Sequence, residues 1–325
     1  ENLVIDSSCS FTGNYAGALS VSVDGSLSVK NTTNNAKVSG TQELGGFIGL
    51  IEGLEERIQV TFEDCANNGD VTGKQGVGGF VGVISSNTNI IIAISNCVNH
   101  GNVTSKDNII GGFIGYIGYN PNMAIIISNS TNNGNVTGVN DHIGGFIGCI
   151  CGNANTNMTI SNSTNNGIVT GGLIGGFIGY FCENTEMNMT ISNSTNNGYV
   201  TASSYAGGFV GYIIENIDMA MTISNTINNG NVTGEYGVGG FTLLMNGESE
   251  SSSGSLDIVN SANKGSVLSA QGMACGFVFI DPDSFINVKT TLKNSINKGN
   301  VNASTYAYGI TNNITEARNV VSMGD

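Results

Sequence analysis

Chemistry needs side chains that titrate, attack or ligate, and this chain is sparing with them. Its two histidines stand in "NHGNVT" (His100) and "NDHIGGF" (His142), and neither has a Ser, Cys or Asp recurring beside it as nucleophilic catalysis requires. Among the seven cysteines, Cys149 and Cys151 form a CxC without a second pair or a nearby histidine, so no zinc pattern exists. Arg57 and Arg318 are the two arginines, far apart in the chain, whereas a polysaccharide-cleaving groove needs Asp, Arg and Lys in a cluster. There is no GxGxxG and no phosphate-loop lysine. The acidic pairs Glu183/Glu186 and Asp281/Asp283 are the weak candidates for calcium, but no ligand-dense loop surrounds them, and they read as solvated surface. The expectation is therefore no catalytic residue, no cofactor and no resident metal.

Asparagine is the residue that recurs with chemistry attached. Eleven Asn-x-Ser/Thr sequons occur, about what chance placement gives in so Asn-rich a chain, so position weighs more than number. Asn31, Asn102, Asn135, Asn157, Asn188 and Asn231 are the candidate glycan carriers. A second set, Asp64, Asn96, Asn129, Asn162, Asn193, Asn225, Asn260 and Asn294, occupies one repeated position. Strand alternation from Ile160 and Ile191 puts that set on the inward side, where buried amides must bond one another. It is expected to be a structural ladder, which would leave the sequons at Asn129, Asn162 and Asn193 bare.

The elements that position these residues follow from a repeat. The phenylalanine of "GGF" falls at Phe47, Phe80, Phe113, Phe146, Phe177, Phe209, Phe241 and, in "CGF", Phe277, at spacings of 33, 33, 33, 31, 32, 32 and 36. The valine of "GNVTG" keeps step at Val38, Val71, Val103, Val136, Val169, Val200, Val232, Val267 and Val301. Each copy contains an apolar "GGFIGYI", an alternating "MTIS" and a short "NVT", three strand signatures, with Asn-Asn-Gly as a corner that tolerates positive φ. The fold class is therefore all-β: one continuous parallel β-helix of about ten coils and ~32 residues per coil. Residues 1–40 are degenerate first coils, 41–246 regular repeats, and 247–325 degenerate repeats. The chain begins at Glu1 and stops inside a repeat, so a longer natural protein is expected.

The stretches "DCANNGDVTGKQGVGGFVG" and "NCVNHGNVTSKDNIIGGFIG" resemble the GLUG repeat, with Phe for Leu throughout and Ser or Thr for Cys in most copies. The resemblance implies a β-solenoid module of a large secreted or cell-surface protein of bacteria or protists, hence an extracellular location.

Composition fits a scaffold. Lys+Arg 10 against Asp+Glu 24 leaves a net charge of −14, which excludes a phosphate-backbone footprint and so nucleic acid. No apolar run is long enough to span a membrane as a helix. In the first strand, alternation turns Ile114 and Tyr116, Ile178 and Tyr180, and Val210 and Tyr212 to the face opposite Phe, a candidate association stripe. The cysteine pairs Cys65/Cys97 and Cys151/Cys182 each share a column in adjacent coils, where parallel Cβ vectors favour free buried thiols. The variable segments after the first strand, at Glu52, Gly118, Glu183, Glu215, Asn246 and Asp281, are where specificity would sit.

The reading is a structural or adhesive scaffold, a stalk, filament body or adhesin segment. Its expected partners are other copies of itself, other surface proteins, and host or matrix glycans. The alternatives are a carbohydrate-binding or polysaccharide-degrading β-helix and, from the partial column Thr137, Thr170, Thr201 and Thr233, an ice-binding solenoid.

Overall fold

A sequence that recurs every 33 or so residues can satisfy the backbone of each copy with that of the next. The computed structural model describes residues 1–53, 57–86, 88–245, 252–281 and 287–323, and every regular element in them is a β-strand. The named strands pair in parallel, each with its counterpart one repeat away, so Ile127 faces Ile160, then Ile191, then Ile223. Four sheets of ten, eleven, eighteen and nine strands result. The nine-stranded sheet, built on "GGF", counts about nine coils, and at ~4.8 Å per coil the β-solenoid is a rod of roughly 43 Å.

One coil shows the local logic. The three expected strands appear as Ile114–Gly118, Ala124–Ser128 and Val136–Thr137, and the two-residue segments Thr131–Asn132 and Ile143–Gly144 join them. In Ala124–Ser128, Ile125 and Ile127 are wholly buried while Ala124 and Ile126 face outward, the period-2 pattern of a half-buried strand. Between that strand and the first, the phenylalanines form a column: Phe113, Phe146 and Phe177 stack at 4.8 and 4.7 Å with planes within 5°. Stacking at this spacing follows from the coil rise, because identical residues in register stand one strand apart. Glycine before each Phe is obligatory. A Cβ on Gly112 would lie 2.1 Å from the carbonyl oxygen of Gly145 and 2.7 Å from the Asn132 side chain.

The buried asparagine ladder exists, but at a different column from the one expected. Asn34, Asn67, Asn99, Asn132, Asn165, Asn196, Asn228, Asn263 and Asn297 are all fully buried. Each Nδ2 from Asn34 to Asn263 donates to the next Oδ1 at 2.8 to 2.9 Å, and also to the carbonyl two residues on in its own chain. The expected ladder, Asp64, Asn96, Asn129, Asn162, Asn193, Asn225, Asn260 and Asn294, is exposed at the corner three residues earlier. The reason is backbone conformation. These residues take φ between 48° and 54°, a left-handed turn that resets the alternation, so that the following Cys, Ser or Thr points inward instead. The C-terminal members still bond one another in solvent, Asn294 to Asn260 at 3.1 Å and Asn260 to Asn225 at 3.2 Å. Sequence reading also missed a second buried ladder, Asn120, Asn153, Asn184 and Asn216, whose Nδ2 to Oδ1 links are 3.1, 3.0 and 3.0 Å.

Candidate functional site

The residues expected to form an association stripe divide between two places. Ile114, Ile178 and Val210 are wholly buried in the main core beside the phenylalanines. Tyr116, Tyr180 and Tyr212 are half-buried on the outer side. The stripe therefore does not exist as a flat face. The chain bends between Gly112 and Ile114, so Phe113 and Ile114 both point inward although they are consecutive.

What the tyrosines line is a notch. The spacer strand before each "GGF" and the strand after it fold back closely enough that a Cβ on Gly49 would meet the carbonyl oxygen of Glu43 at 2.6 Å. Outward side chains of the two strands face each other across this crease. Four residues before each Phe stand Glu43, Gly76, Ile109, His142, Leu173, Tyr205, Gly237 and Met273. Three residues after Phe47, Phe80, Phe113, Phe146, Phe177 and Phe209 stand Leu50, Val83, Tyr116, Cys149, Tyr180 and Tyr212. Half of these, Ile109, Tyr116, Cys149, Tyr180, Tyr205, Tyr212 and Met273, belong to a third apolar cluster, separate from both cores.

Towards the C-terminal end the notch is filled. The rings of His142 and Tyr180 lie 4.1 Å apart, Tyr180 stacks on Tyr212 at 5.5 Å, and Tyr205 meets Tyr212 edge-on at 5.7 Å. Burial keeps the His142 imidazole neutral by lowering its pKa, and its Nδ1 is buried without a hydrogen-bond partner. Burial also raises the Cys149 thiol and the phenols of Tyr116 and Tyr180, and pushes Tyr212 up to about 12. None of these groups is ionised near neutrality, so this half of the notch is an uncharged aromatic seam.

Towards the N-terminal end the notch is open. Glu43, Gly76, Ile109 and His142 all have φ between 50° and 66°. Gly76 contributes no side chain, and a Cβ there would already meet Val83 at 2.6 Å. Two depressions of about 440 and 370 Å³ share Glu43. Glu52, Leu50 and Tyr15 line one; Gln42, Gln75, Tyr116 and Tyr119 line the other. The Oε2 of Glu43 is buried with no hydrogen-bond partner, and burial, reinforced by the charge of Glu52, raises its carboxyl pKa. Glu43 was not singled out from the sequence. The signal was available, because the fourth residue before Phe carries no consistent residue type in a repeat where most other positions do.

The other expected residues lie elsewhere. Asn31, Asn102, Asn135, Asn157, Asn188 and Asn231 are exposed, with Asn188 Nδ2 donating to Asn157 Oδ1 at 3.1 Å. Asn129, Asn162 and Asn193 are exposed as well, which removes the reason for expecting them to stay bare. His100 is an exposed corner residue beside Asn133, and Arg318 pairs with Glu316. Glu183 and Glu186 are exposed, each at positive φ, the first in a bend and the second within the strand that follows; Asp283 and the variable segment 246–251 lie outside the described residues.

Cys151 and Cys182 form a disulfide with Cα atoms 4.8 Å apart, against the expectation of free thiols. Both end their strands, next to Gly152 and Glu183 in positive φ, so their Cβ directions are not held parallel as they would be mid-strand. Cys65 and Cys97 remain thiols, donating to the carbonyls of Glu63 and Ser95 at 3.2 and 3.1 Å.

Neither family models nor curated proteins match the chain. Two solved structures are similar: the catalytic domain of a GH87 alpha-1,3-glucanase in complex with nigerose, at 11% identity and TM-score 0.32, and a substituted form of that domain, at 12% and 0.28. The chain is covered over 94% of its length and spans 64% of theirs. A likeness this distant leaves function to the geometry.

Proposed function

We propose that the chain is a rigid, non-catalytic repeat scaffold of a secreted or cell-surface protein, of the kind its GLUG-like repeats suggest. The observation that carries this reading is the unbroken buried ladder from Asn34 to Asn297, with the phenylalanine column beside it. Each coil is locked to its neighbours by amide bonds that are worth most when every member is satisfied, which makes the array stiff along its axis. The histidines and the buried thiols are dispersed in the described residues: His100 sits on one corner, His142 in the notch, and Cys149 and Cys275 are buried, so the carboxylates Glu43 and Glu52 have no histidine or thiol beside them on their shared depression. The disulfide suits an oxidising compartment.

The scaffold works by holding its outward columns and edge turns at one coil spacing, ~4.8 Å, over many coils. The test is twofold. Small-angle scattering on the purified chain should give a rod of roughly 43 Å, nine coils at the strand spacing, and incubation with a panel of polysaccharides should release no reducing ends. Measurable turnover, or a flexible compact particle, would overturn the proposal.

A further inference from the structure

The open half of the notch has the make-up of a ligand site. A buried acceptor without a donor is costly, about 1–3 kcal/mol for a neutral group and more for a charged one. The Glu43 Oε2 is such an acceptor; Glu43 itself is only partly buried and borders both depressions, so a turn of its side chain presents that oxygen to a ligand there. Around it are a second carboxylate, two side-chain amides and three tyrosines, of which Tyr15 and Tyr119 are 43% and 62% exposed.

Each ligand class can be weighed against this set. An anion would face Glu43 and Glu52 with no lysine or arginine among the described lining residues. A purely apolar ligand would leave the orphan oxygen unpaired. Calcium takes six to eight oxygens, and among the described residues the one group of three possible metal ligands does not include Glu43. A polyol fits: vicinal hydroxyls donate to a carboxylate, amides accept or donate as required, and tyrosine rings offer flat apolar faces to the C–H side of a pyranose.

We propose that the crease bounded by Tyr15, Glu43, Glu52, Gln75, Tyr116 and Tyr119 binds a neutral oligosaccharide lying parallel to the solenoid axis. Its length is set by the open coils. It enters at Tyr15, crosses the floor that Gly76 and Val83 form together, and is stopped where His142 packs on Tyr180. This goes beyond the scaffold reading and does not depend on it, since a rod that binds no sugar is still a rod.

The test is a binding titration of the full chain with soluble gluco-, manno-, galacto- and xylo-oligosaccharides, and with N-acetylglucosamine oligomers in acetylated and deacetylated form. At least one neutral series should bind, and Glu43→Gln and Tyr119→Ala should each weaken it at least tenfold. Glu186→Gln, exposed on a strand that lines neither depression, should leave it unchanged. Thermal melts on every variant separate lost binding from lost folding, and Glu43→Gln should melt no lower than the parent. If no neutral sugar binds to a cooperatively melting parent, the inference falls and the scaffold stands. It also falls if only the deacetylated, cationic oligomers bind, or if Glu43→Gln binds as tightly as the parent.

Discussion

Replacing Asn165 by alanine tests the buried ladder at its centre. Asn165 accepts from Asn132 at 2.9 Å and donates to Asn196 Oδ1 at 2.9 Å and to the Gly167 carbonyl at 3.0 Å. The substitution leaves a proton on Asn132 Nδ2, the Asn196 Oδ1 and the Gly167 oxygen without these partners, all in fully buried surroundings. At about 1–3 kcal/mol per orphaned neutral group, partly relieved by relaxation or an entering water, the loss should be about 4 kcal/mol. Asn162→Ala, three residues away, is the contrast. Asn162 is exposed at φ 50°, and alanine there gives up only the asparagine preference for left-handed backbone, about 1 kcal/mol. Urea denaturation followed by circular dichroism measures both. Because coils unfold as a nearest-neighbour array, hydrogen exchange should show the damage centred on the coils either side of Asn165. Equal losses, or a larger one for Asn162→Ala, would refute the assignment of the ladder to Asn165 and its column.

Other positions give sharper single outcomes. Gly112→Ala should abolish soluble expression or sharply lower the melting temperature, since its Cβ would collide with the Gly145 carbonyl at 2.1 Å, whereas Gly25→Ala, with nothing within 4 Å, should be neutral. Thiol titration of the unfolded, unreduced chain should find five thiols, and seven after reduction; seven before reduction would mean that Cys151 and Cys182 are not bonded. Glu43 holds its proton more tightly when folded than its ordinary value of 4.5, so its favourable contribution is present below that value and is lost as pH rises through the raised one. Glu43→Gln should therefore melt above the parent at neutral pH, with the advantage vanishing below 4.5; a difference independent of pH would remove the desolvated carboxylate from the explanation.

The fold was largely legible because a solenoid converts sequence period directly into three-dimensional register. Two anchors in step, Phe of "GGF" and Val of "NVT", define the length of a circuit, and residues one circuit apart must stack. The three principal strands of each coil follow from the apolar "GGFIGYI", the alternating "MTIS" and the short "NVT". The candidate site was not legible in the same way. Glu43 lies in the strand before Phe47 and Glu52 directly follows the strand after it, and only the crease between those strands puts them on a common depression.

The sequence by itself determined that this chain coils, how long each coil is, and which residues share a column. Tertiary structure alone decided which way a column faces. At Asn162 one left-handed residue turns the chain and reverses inside and outside for the residues after it; at Gly112-Phe113-Ile114 a bend sends two consecutive side chains into one core; at Cys151 and Cys182 a turn frees two sulfurs to meet. Alternation is a property of extended backbone, and it holds only as far as the next corner.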